Sequence, residues 1–178
     1  MTREKLLEIR NLETAFRIKD DYFNAVDKVS LDLYRNEVLA IVGESGCGKS
    51  TLATTVMGLH NENLTKSTGE VIFNGKNLLE LTEEEMNKIR TKDIGMIFQD
   101  PLSSLNPLHR IGKQIEEALI YHTELSAAER EKRVIELLTQ VGIPNPERCA
   151  KQYPHELSGG MRQRVMIAMA MSCKPSVL

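Results

Sequence analysis

The sequence is poor in cysteine, has no tryptophan and lacks any long apolar run. Its three scattered cysteines do not make a disulfide framework. The longest apolar runs, residues 38–42 and 165–171, are far shorter than the roughly 20 residues of a membrane-spanning helix. The opening MTREKLLEIR has neither an apolar signal core nor a small-residue cleavage site. These absences predict a cytoplasmic protein that does not itself cross a membrane.

The charges show no excess of either sign. Twenty-three basic residues stand against 25 acidic residues, for a net charge of -2. This balance excludes a broad cationic field, so we expect no nucleic-acid partner. With 41% hydrophobic and 27% charged residues, the 178-residue chain has the composition of one globular domain. A net charge of -2 does not exclude a local phosphate-binding site.

The first 75 residues favour β-strands. The spacing of Leu6, Ile9 and Leu12 predicts a half-buried edge strand. Asn74 and Gly75 tolerate positive φ and predict a two-residue hairpin turn. Two short apolar runs, residues 37–42 and 94–98, are bounded by turn-forming residues and predict strands buried on both faces of a parallel sheet.

Helical patterns dominate after residue 98. Thr82 with Glu85 and Ser126 with Glu129 each predict a capping box at a helix start. The helix after Ser126 ends at Gly142, and it carries on one face Val134, Leu137, Leu138 and Val141. Pro144 and Pro146 indicate a turn before a short helix, and a last helix is predicted to begin near Gly160. The order indicates an α/β core with an early β extension and a helical insertion at about residues 100–160.

The strongest motif is G-x-x-x-x-G-K-S at residues 43–50, between a predicted buried strand and a predicted helix. Its glycines let successive backbone N–H groups surround a phosphate, and the helix start adds a positive dipole end. Lys49 is expected to reach the β- and γ-phosphates, and the Ser50 hydroxyl to ligate Mg²⁺. A glycine-rich turn without a ligand is disfavoured by these flanks. The predicted binding residues are Gly43, Glu44, Ser45, Gly46, Cys47, Gly48, Lys49, Ser50 and Thr51.

Two further motifs are weaker when taken alone. Gln99 ends the second buried run, where its amide oxygen is placed to contact a metal, although polar residues are common at strand ends. Ser158, Gly159 and Gly160 precede an apolar-faced helix, whose free N–H groups offer a second anion site. From the residues alone, an ordinary serine cap is the favoured explanation of that segment.

Together the motifs resemble the nucleotide-binding subunits of ABC transporters, in particular the oligopeptide/dipeptide/nickel importer group. GESGCGKST, FQDPLSSLNP and YPHELSGGMRQRVMIAMAM occur in the expected order, and the resemblance covers essentially the whole chain. LSGGMRQR is specific for ABC ATPases, and SSLNP and YPHE indicate the peptide-importer branch. The resemblance implies an α/β P-loop NTPase (RecA-like) core with an N-terminal antiparallel β subdomain and a helical signature subdomain. The implied bounds within one partial domain are about 1–99 for the core and β subdomain, 100–160 for the helical subdomain, and 161–178 for the return to the core.

The resemblance also implies roles for individual residues. Residues 43–51 form the phosphate loop for ATP, and Gln99 joins Ser50 at the Mg²⁺ ion. Ser158, Gly159 and Gly160 would contact the γ-phosphate of ATP held by the opposite subunit of a head-to-tail dimer. Phe16 is the predicted adenine-stacking aromatic, with Tyr22 and Phe23 as alternatives. An apolar core role for Phe16 is equally compatible with the sequence.

The implied function is that of an ATP-binding subunit that energises peptide import. Its partners would be a second ABC ATPase subunit, membrane permease subunits and, indirectly, an extracytoplasmic peptide-binding protein. This places it peripherally on the inner face of the cell membrane. We expect the permease to contact the loop after Gln99, including Ser103 and Leu105, and the helical segment through about residue 155. A soluble ABC ATPase of DNA repair or translation is disfavoured by SSLNP and by the lack of a long coiled-coil insertion.

In the family the pattern continues past Leu178 with the Walker B strand, the catalytic glutamate and the switch histidine. Since phosphoryl transfer needs a group that orients the attacking water, we predict that these 178 residues hydrolyse ATP at no more than a trace rate, and no catalytic residue is assigned. The alternative function is a non-catalytic fragment that binds nucleotide or permease without turnover. The Walker B strand would pair beside residues 38–42, so we expect exposed backbone groups there.

Overall fold

The computed structural model describes residues 4–100 and 104–178, which form two compact units that meet in the sequence between Asn87 and Lys88. The first unit is built on one antiparallel sheet in the order β2-β1-β3-β4. Its strands are β1 (Lys5–Ile18), β2 (Asp21–Tyr34), β3 (Thr65–Phe73) and β4 (Lys76–Asn77). Helix α1 (Lys49–Val56) lies between β2 and β3 in the chain, and α2 (Glu83–Ile89) follows a short 3-10 turn, Leu78–Glu80.

Strand β1 is an interior strand of the sheet. The predicted strand is present, but its prediction as an edge strand is wrong, because β1 pairs with β2 on one side and with β3 on the other. Leu6 and Leu7 are both buried although they are adjacent and point to opposite faces. Burial on both faces follows from the neighbours that β2 and β3 provide, which a three-residue pattern does not reveal.

The predicted hairpin turn is confirmed at Asn74 and Gly75. Phe73 of β3 pairs directly with Lys76 of β4, which leaves the two residues between them as the turn. Their φ angles are 49° and 76°, the positive values that a type I′ turn requires.

The two predicted parallel strands do not form among the residues that the structure describes. Residues 37–42 lie in no strand, and Val38 and Val42 are 96% and 92% exposed. Around residue 94 there are only single parallel bridges, from Ile94 to Arg90 and to Val177. An apolar run is buried as a strand only where other strands pair with it, and within residues 4–100 and 104–178 none pairs with residues 37–42. This exposure agrees with the expectation of unpaired backbone along that run.

The second unit is helical. It contains α3 (Ile111–His122), α4 (Ala127–Gln140), α5 (Pro146–Lys151) and α6 (Gly159–Ala170), with a 3-10 turn at Pro154–Glu156. None of the helices in the described ranges has the length and hydropathy that crossing a bilayer requires. The buried core of the unit consists of Leu105, Ile111, Ile115, Leu119, Val134, Leu137, Leu138, Ile143, Cys149, Leu157, Val165, Met166 and Ala168.

The predicted helix boundaries of α4 are confirmed. The Ser126 hydroxyl accepts a hydrogen bond from the Glu129 N–H, and the Ser126 N–H donates to the Glu129 carboxylate at 2.8 Å. Gly142 follows the helix with φ 76°. The predicted capping box at Thr82 is also present, since the Thr82 N–H donates to the Glu85 carboxylate at 2.9 Å and α2 begins at the next residue. These contacts span three residues, which is why the sequence reveals them.

An ion-pair network joins α3 to α4. Glu116 lies 2.8 Å from the Lys113 ammonium and 3.2 Å from Nε of Arg130. The hydrogen bond from Lys113, reinforced by Arg130, holds the pKa of the Glu116 carboxyl below its ordinary value. Arg130 also donates to the Leu125 carbonyl at 2.6 Å, so the same network fixes the turn between the two helices.

Candidate functional site

The phosphate loop, residues 43–50, leads directly into α1. Gly46 and Gly48 have φ angles of 83° and 92°, which non-glycine residues rarely adopt. A Cβ on Gly48 would lie 2.2 Å from the Ala25 carbonyl oxygen, whereas a Cβ on Gly46 would meet nothing within 4 Å. Glycine is therefore favoured at position 48 by the positive φ angle and by the close approach to β2, and at position 46 by the positive φ angle alone.

The Lys49 ammonium lies against the backbone of its own loop. It donates hydrogen bonds to the carbonyl oxygens of Gly43 at 2.7 Å and of Glu44 at 2.6 Å. The Cys47 sulfur lies 3.5 Å from the same ammonium. The loop thus holds one positive charge beside its backbone, where an anion entering the loop would meet it.

The start of α1 is open to a ligand. The first N–H groups of a helix have no partner inside the helix, and none of the described side chains caps this one. The Ser50 side chain is exposed and Thr51 is half-buried. Free N–H groups, the helix dipole and the Lys49 charge are the features that favour a bound phosphate group, so the predicted phosphate site stays a prediction with this geometry behind it. The Ser50 hydroxyl supplies an oxygen of the kind that Mg²⁺ prefers.

The aromatic candidates lie at one end of the β1–β2 hairpin. Phe16 is opposite Phe23, and Arg17 is opposite Tyr22. Phe23 is 54% exposed, and the Lys66 ammonium lies 4.1 Å from the centroid of the Tyr22 ring. Phe16 is half-buried, and its ring packs edge-to-face on His60 with the centroids 5.1 Å apart. None of the three is a fully buried core residue.

His60 is a residue of this region that the sequence motifs did not indicate. Its Nε2 lies 3.1 Å from the Thr54 hydroxyl and 3.0 Å from the Thr55 hydroxyl, both on α1. The Thr55 hydroxyl lies 3.0 Å from that of Thr14, a fully buried residue of β1. The only sequence signal is the threonine pair at 54–55, which places hydroxyls near the end of the helix but does not identify their partner.

In the second unit, Gln99 is exposed and makes no side-chain hydrogen bond with the residues that the structure describes. The loop after it is held by Gln114 of α3, whose amide N–H group donates to the carbonyls of Asn106 at 3.0 Å and His109 at 2.8 Å. Its Oε1 accepts from the Asn106 N–H at 2.9 Å. Gln114 is only 6% exposed, so a buried amide fastens this loop to α3.

The surface predicted for a partner needs one correction. Leu105 is only 3% exposed and belongs to the core of the second unit, so its predicted contact with a permease is wrong. Its apolar side chain is buried among the helices, where no partner reaches it. Ser103 lies outside the described residues. Leu108 and Tyr121 are the most exposed of the large apolar side chains that the structure describes in this region, at 80% and 76%.

Ser158 caps α6. Its hydroxyl accepts a hydrogen bond from the Met161 N–H at 3.3 Å, and the helix begins at Gly159. A Cβ on Gly159 or Gly160 would meet nothing within 4 Å, so the packing of this chain does not require either glycine. The serine-cap interpretation is confirmed. The exposed helix start also keeps the geometry of an anion site, which stays a prediction.

A cavity of about 580 Å³ opens in the second unit, between α3, α6 and the segment after α2. Its wall mixes thioether, aromatic and polar side chains. The lining residues are Thr91, Met96, Phe98, Ser104, Gln114, Glu117, Ala118, Tyr121, His122, Met166, Met169 and Ala170. The phosphate loop and the aromatic candidates thus lie in the first unit, and Gln99, the signature residues and this cavity lie in the second.

Comparison with known sequences agrees with these motifs. Residues 26–178 match the family described as ABC transporter. The chain is 51% identical over 178 residues to the oligopeptide transport ATP-binding protein OppD of Lactococcus lactis subsp. cremoris, covering 100% of this chain and 53% of that protein. It is 48% identical over 176 residues to the dipeptide transport ATP-binding protein DppD of Bacillus subtilis, covering 98% and 52%. The chain therefore spans about half the length of the curated relatives it matches.

Solved structures show the same fold. The ATP-binding cassette MJ0796, in a dimeric post-hydrolysis state bound to ADP and phosphate, superposes with a TM-score of 0.84 at 32% identity. That alignment covers 96% of this chain and 71% of the cassette. The cbiO1 protein of Clostridium perfringens, part of the ABC transporter complex cbiONQ, gives a TM-score of 0.74 at 27% identity, covering 97% and 63%. The predicted α/β fold class is confirmed.

Two of the three glycines in the loop, Gly46 and Gly48, predict different costs of substitution. Gly46→Ala should lower the free energy of unfolding by about 1–2 kcal/mol, the cost of a left-handed non-glycine residue. Gly48→Ala should lower it clearly further, because its Cβ also meets the Ala25 carbonyl oxygen. Urea denaturation followed by circular dichroism measures both, with Gly46→Ala as the matched control. Equal losses would contradict the close approach of Gly48 to β2.

Proposed function

This chain belongs to the ABC transporter family, and within that family we propose that it is part of an ATP-binding subunit that energises peptide import. The observation that carries the proposal is the phosphate loop, where glycines with positive φ, an uncapped helix start and the Lys49 ammonium converge. The names of its relatives, which are peptide transport ATP-binding proteins, support the choice of cargo class.

The residues of the chain fit ATP and Mg²⁺. Residues 43–51 would hold the phosphates, and Phe16 would stack on the adenine. The exposed oxygens of Ser50 and Gln99 would hold Mg²⁺, which neutralises phosphate charge when bound. Ser158, Gly159 and Gly160 would contact ATP on a second ABC ATPase subunit, identical or different. We assign residues 1–99 to the core and β subdomain, 100–160 to the helical subdomain and 161–178 to the return to the core.

Membrane permease subunits are the proposed direct partners, with an extracytoplasmic peptide-binding protein acting through them. The support is a cavity of about 580 Å³ whose wall mixes thioether, aromatic and polar side chains, with the exposed Tyr121 at its border. Methionine side chains adapt to an inserted helix, as Met166 and Met169 would here. In this arrangement the protein lies at the inner face of the membrane and is bound to it through the permease.

Removal of the Lys49 charge tests the phosphate site. Lys49→Ala should weaken MgATP binding roughly ten- to a hundredfold, because a charge-assisted contact contributes about 1.5–3 kcal/mol. Isothermal titration calorimetry of the folded variant measures the change. Lys76→Ala, which removes an exposed lysine from β4, is the matched control and should bind as the parent does. Unchanged affinity in Lys49→Ala would contradict the assignment.

A second prediction concerns residues 1–178 as an isolated polypeptide. It should bind nucleotide but release phosphate only at a trace rate, because no residue matching the family's water-orienting glutamate occurs in it. Binding without turnover is thus the alternative function that we propose for the isolated polypeptide. A phosphate-release assay decides it. Extension through the Walker B strand and switch histidine should restore turnover, and robust Lys49-dependent release from residues 1–178 alone would contradict the prediction.

Photo-cross-linking tests the proposed permease surface. Benzoylphenylalanine in place of Tyr121 should cross-link to a cytoplasmic loop of the permease in membranes that contain the assembled transporter, because Tyr121 borders the cavity. The same probe in place of Phe23, an exposed aromatic of the β1–β2 hairpin, is the matched control. Mass spectrometry of the products identifies the partner. Cross-links from the hairpin position and none from residue 121 would contradict the assignment.

A further inference from the structure

His60 occupies a position between the helix that begins at the phosphate loop and the predicted adenine-stacking ring. On one side it lies within hydrogen-bond distance of α1, and on the other its ring contacts Phe16. Helix α1 has eight residues and is therefore about 12 Å long. One short helix thus has the phosphate site at its start and His60 just past its end.

The threonines around His60 offer its ring a set of acceptors. The Thr54 hydroxyl lies 2.9 Å from the Ser50 carbonyl oxygen and the Thr55 hydroxyl 2.8 Å from that of Thr51, and each can donate its single hydrogen there. Both hydroxyl oxygens then have lone pairs for a hydrogen on Nε2 of His60, which also lies 3.4 Å from the Thr51 carbonyl oxygen. In either tautomer, the imidazole Nε2 lies within hydrogen-bond distance of the last turns of α1.

The same network reaches the strand that carries Phe16. The hydroxyls of Thr55 and Thr14 lie 3.0 Å apart and share a hydrogen bond. Thr14 and Phe16 are two residues apart on β1 and so point to the same face of the sheet. The Phe16 ring meets the His60 ring at 5.1 Å with an interplanar angle of 87°, the edge-to-face geometry that aromatic pairs prefer.

We propose that His60 is a positioning residue for nucleotide base recognition: it fixes the ring of Phe16 relative to α1, without itself touching the nucleotide. This inference rests on the proposed adenine-stacking role of Phe16. A stacking ring contributes most to affinity when it is held at the position that the base occupies while the phosphates are bound at the other end of the ligand. His60 fixes that position, because its ring contacts Phe16 while its Nε2 lies within hydrogen-bond distance of α1, the helix that begins at the phosphate loop.

The test compares two ligands that share phosphates but differ in the base. MgATP and magnesium tripolyphosphate are titrated calorimetrically into the purified protein and its variants. Phe16→Ala should weaken MgATP binding about five- to a hundredfold and leave tripolyphosphate binding unchanged. His60→Ala should weaken MgATP binding about two- to tenfold, again without a change for tripolyphosphate. The double variant should bind MgATP no more weakly than Phe16→Ala does, because both substitutions remove the same contribution, that of the stacked ring.

Two further variants separate positioning from stability. His60→Gln keeps an N–H donor for the threonine hydroxyls but has no ring, so it should fold as the parent does and lose MgATP affinity as His60→Ala does. His109→Ala removes an exposed imidazole from the second unit and should bind both ligands normally.

Three results would overturn the proposal. They are equal losses for both ligands in His60→Ala, full additivity in the double variant, and unchanged MgATP affinity in His60→Ala while Phe16→Ala is weakened. Unchanged MgATP affinity in Phe16→Ala would overturn the base-stacking role of Phe16 itself, and with it this inference. The phosphate-loop assignment would stand in each case, because Lys49→Ala tests it separately.

Discussion

The approach of the Gly48 backbone to the Ala25 carbonyl is the constraint on which the first unit depends. A loop that surrounds a phosphate must present its backbone, and a backbone held this close to a strand leaves no space for a side chain. The contact places the start of α1 against β2. From there the helix is fixed to β1 by the hydroxyls of Thr55 and Thr14, so the antiparallel sheet positions the candidate phosphate site.

In the second unit, a helical core holds exposed polar residues at defined positions. A core of leucine, isoleucine and valine side chains from several helices fixes the helix directions. Buried polar groups then fasten the connecting segments, as Gln114 does for the loop at Asn106 and Glu116 does for the turn at Leu125 through Arg130. The helices are held together by these interior contacts. Ser158, Gly159 and Gly160 therefore remain at an exposed helix start, and neither glycine packs against another part of the unit.

In both units the candidate phosphate-binding residues lie at a helix start or directly before it. Such positions carry N–H groups without partners inside the helix, so they attract anions without any need for many charged side chains. This explains how a chain with a net charge of -2 presents two candidate phosphate-binding segments. Specificity for the rest of the ligand then depends on weaker contacts, such as the stacking of an aromatic ring. The contribution of that ring to the binding free energy depends on where neighbouring side chains hold it.

By itself, the sequence determined those features that depend on residues close together in the chain. The capping boxes at Thr82 and Ser126, the turn at Asn74 and the glycine loop before Lys49 follow from rules that span two to eight residues, and all of them are present. The family, too, is evident from short motifs. Features set by distant neighbours were not predictable in this way. The interior place of β1, the exposure of residues 37–42 and the burial of Leu105 depend on which segments pack beside them. The contact of His60 with Phe16 joins residues 44 positions apart, and only the tertiary structure decided it, because a side-chain contact across that separation leaves no periodic trace in the sequence.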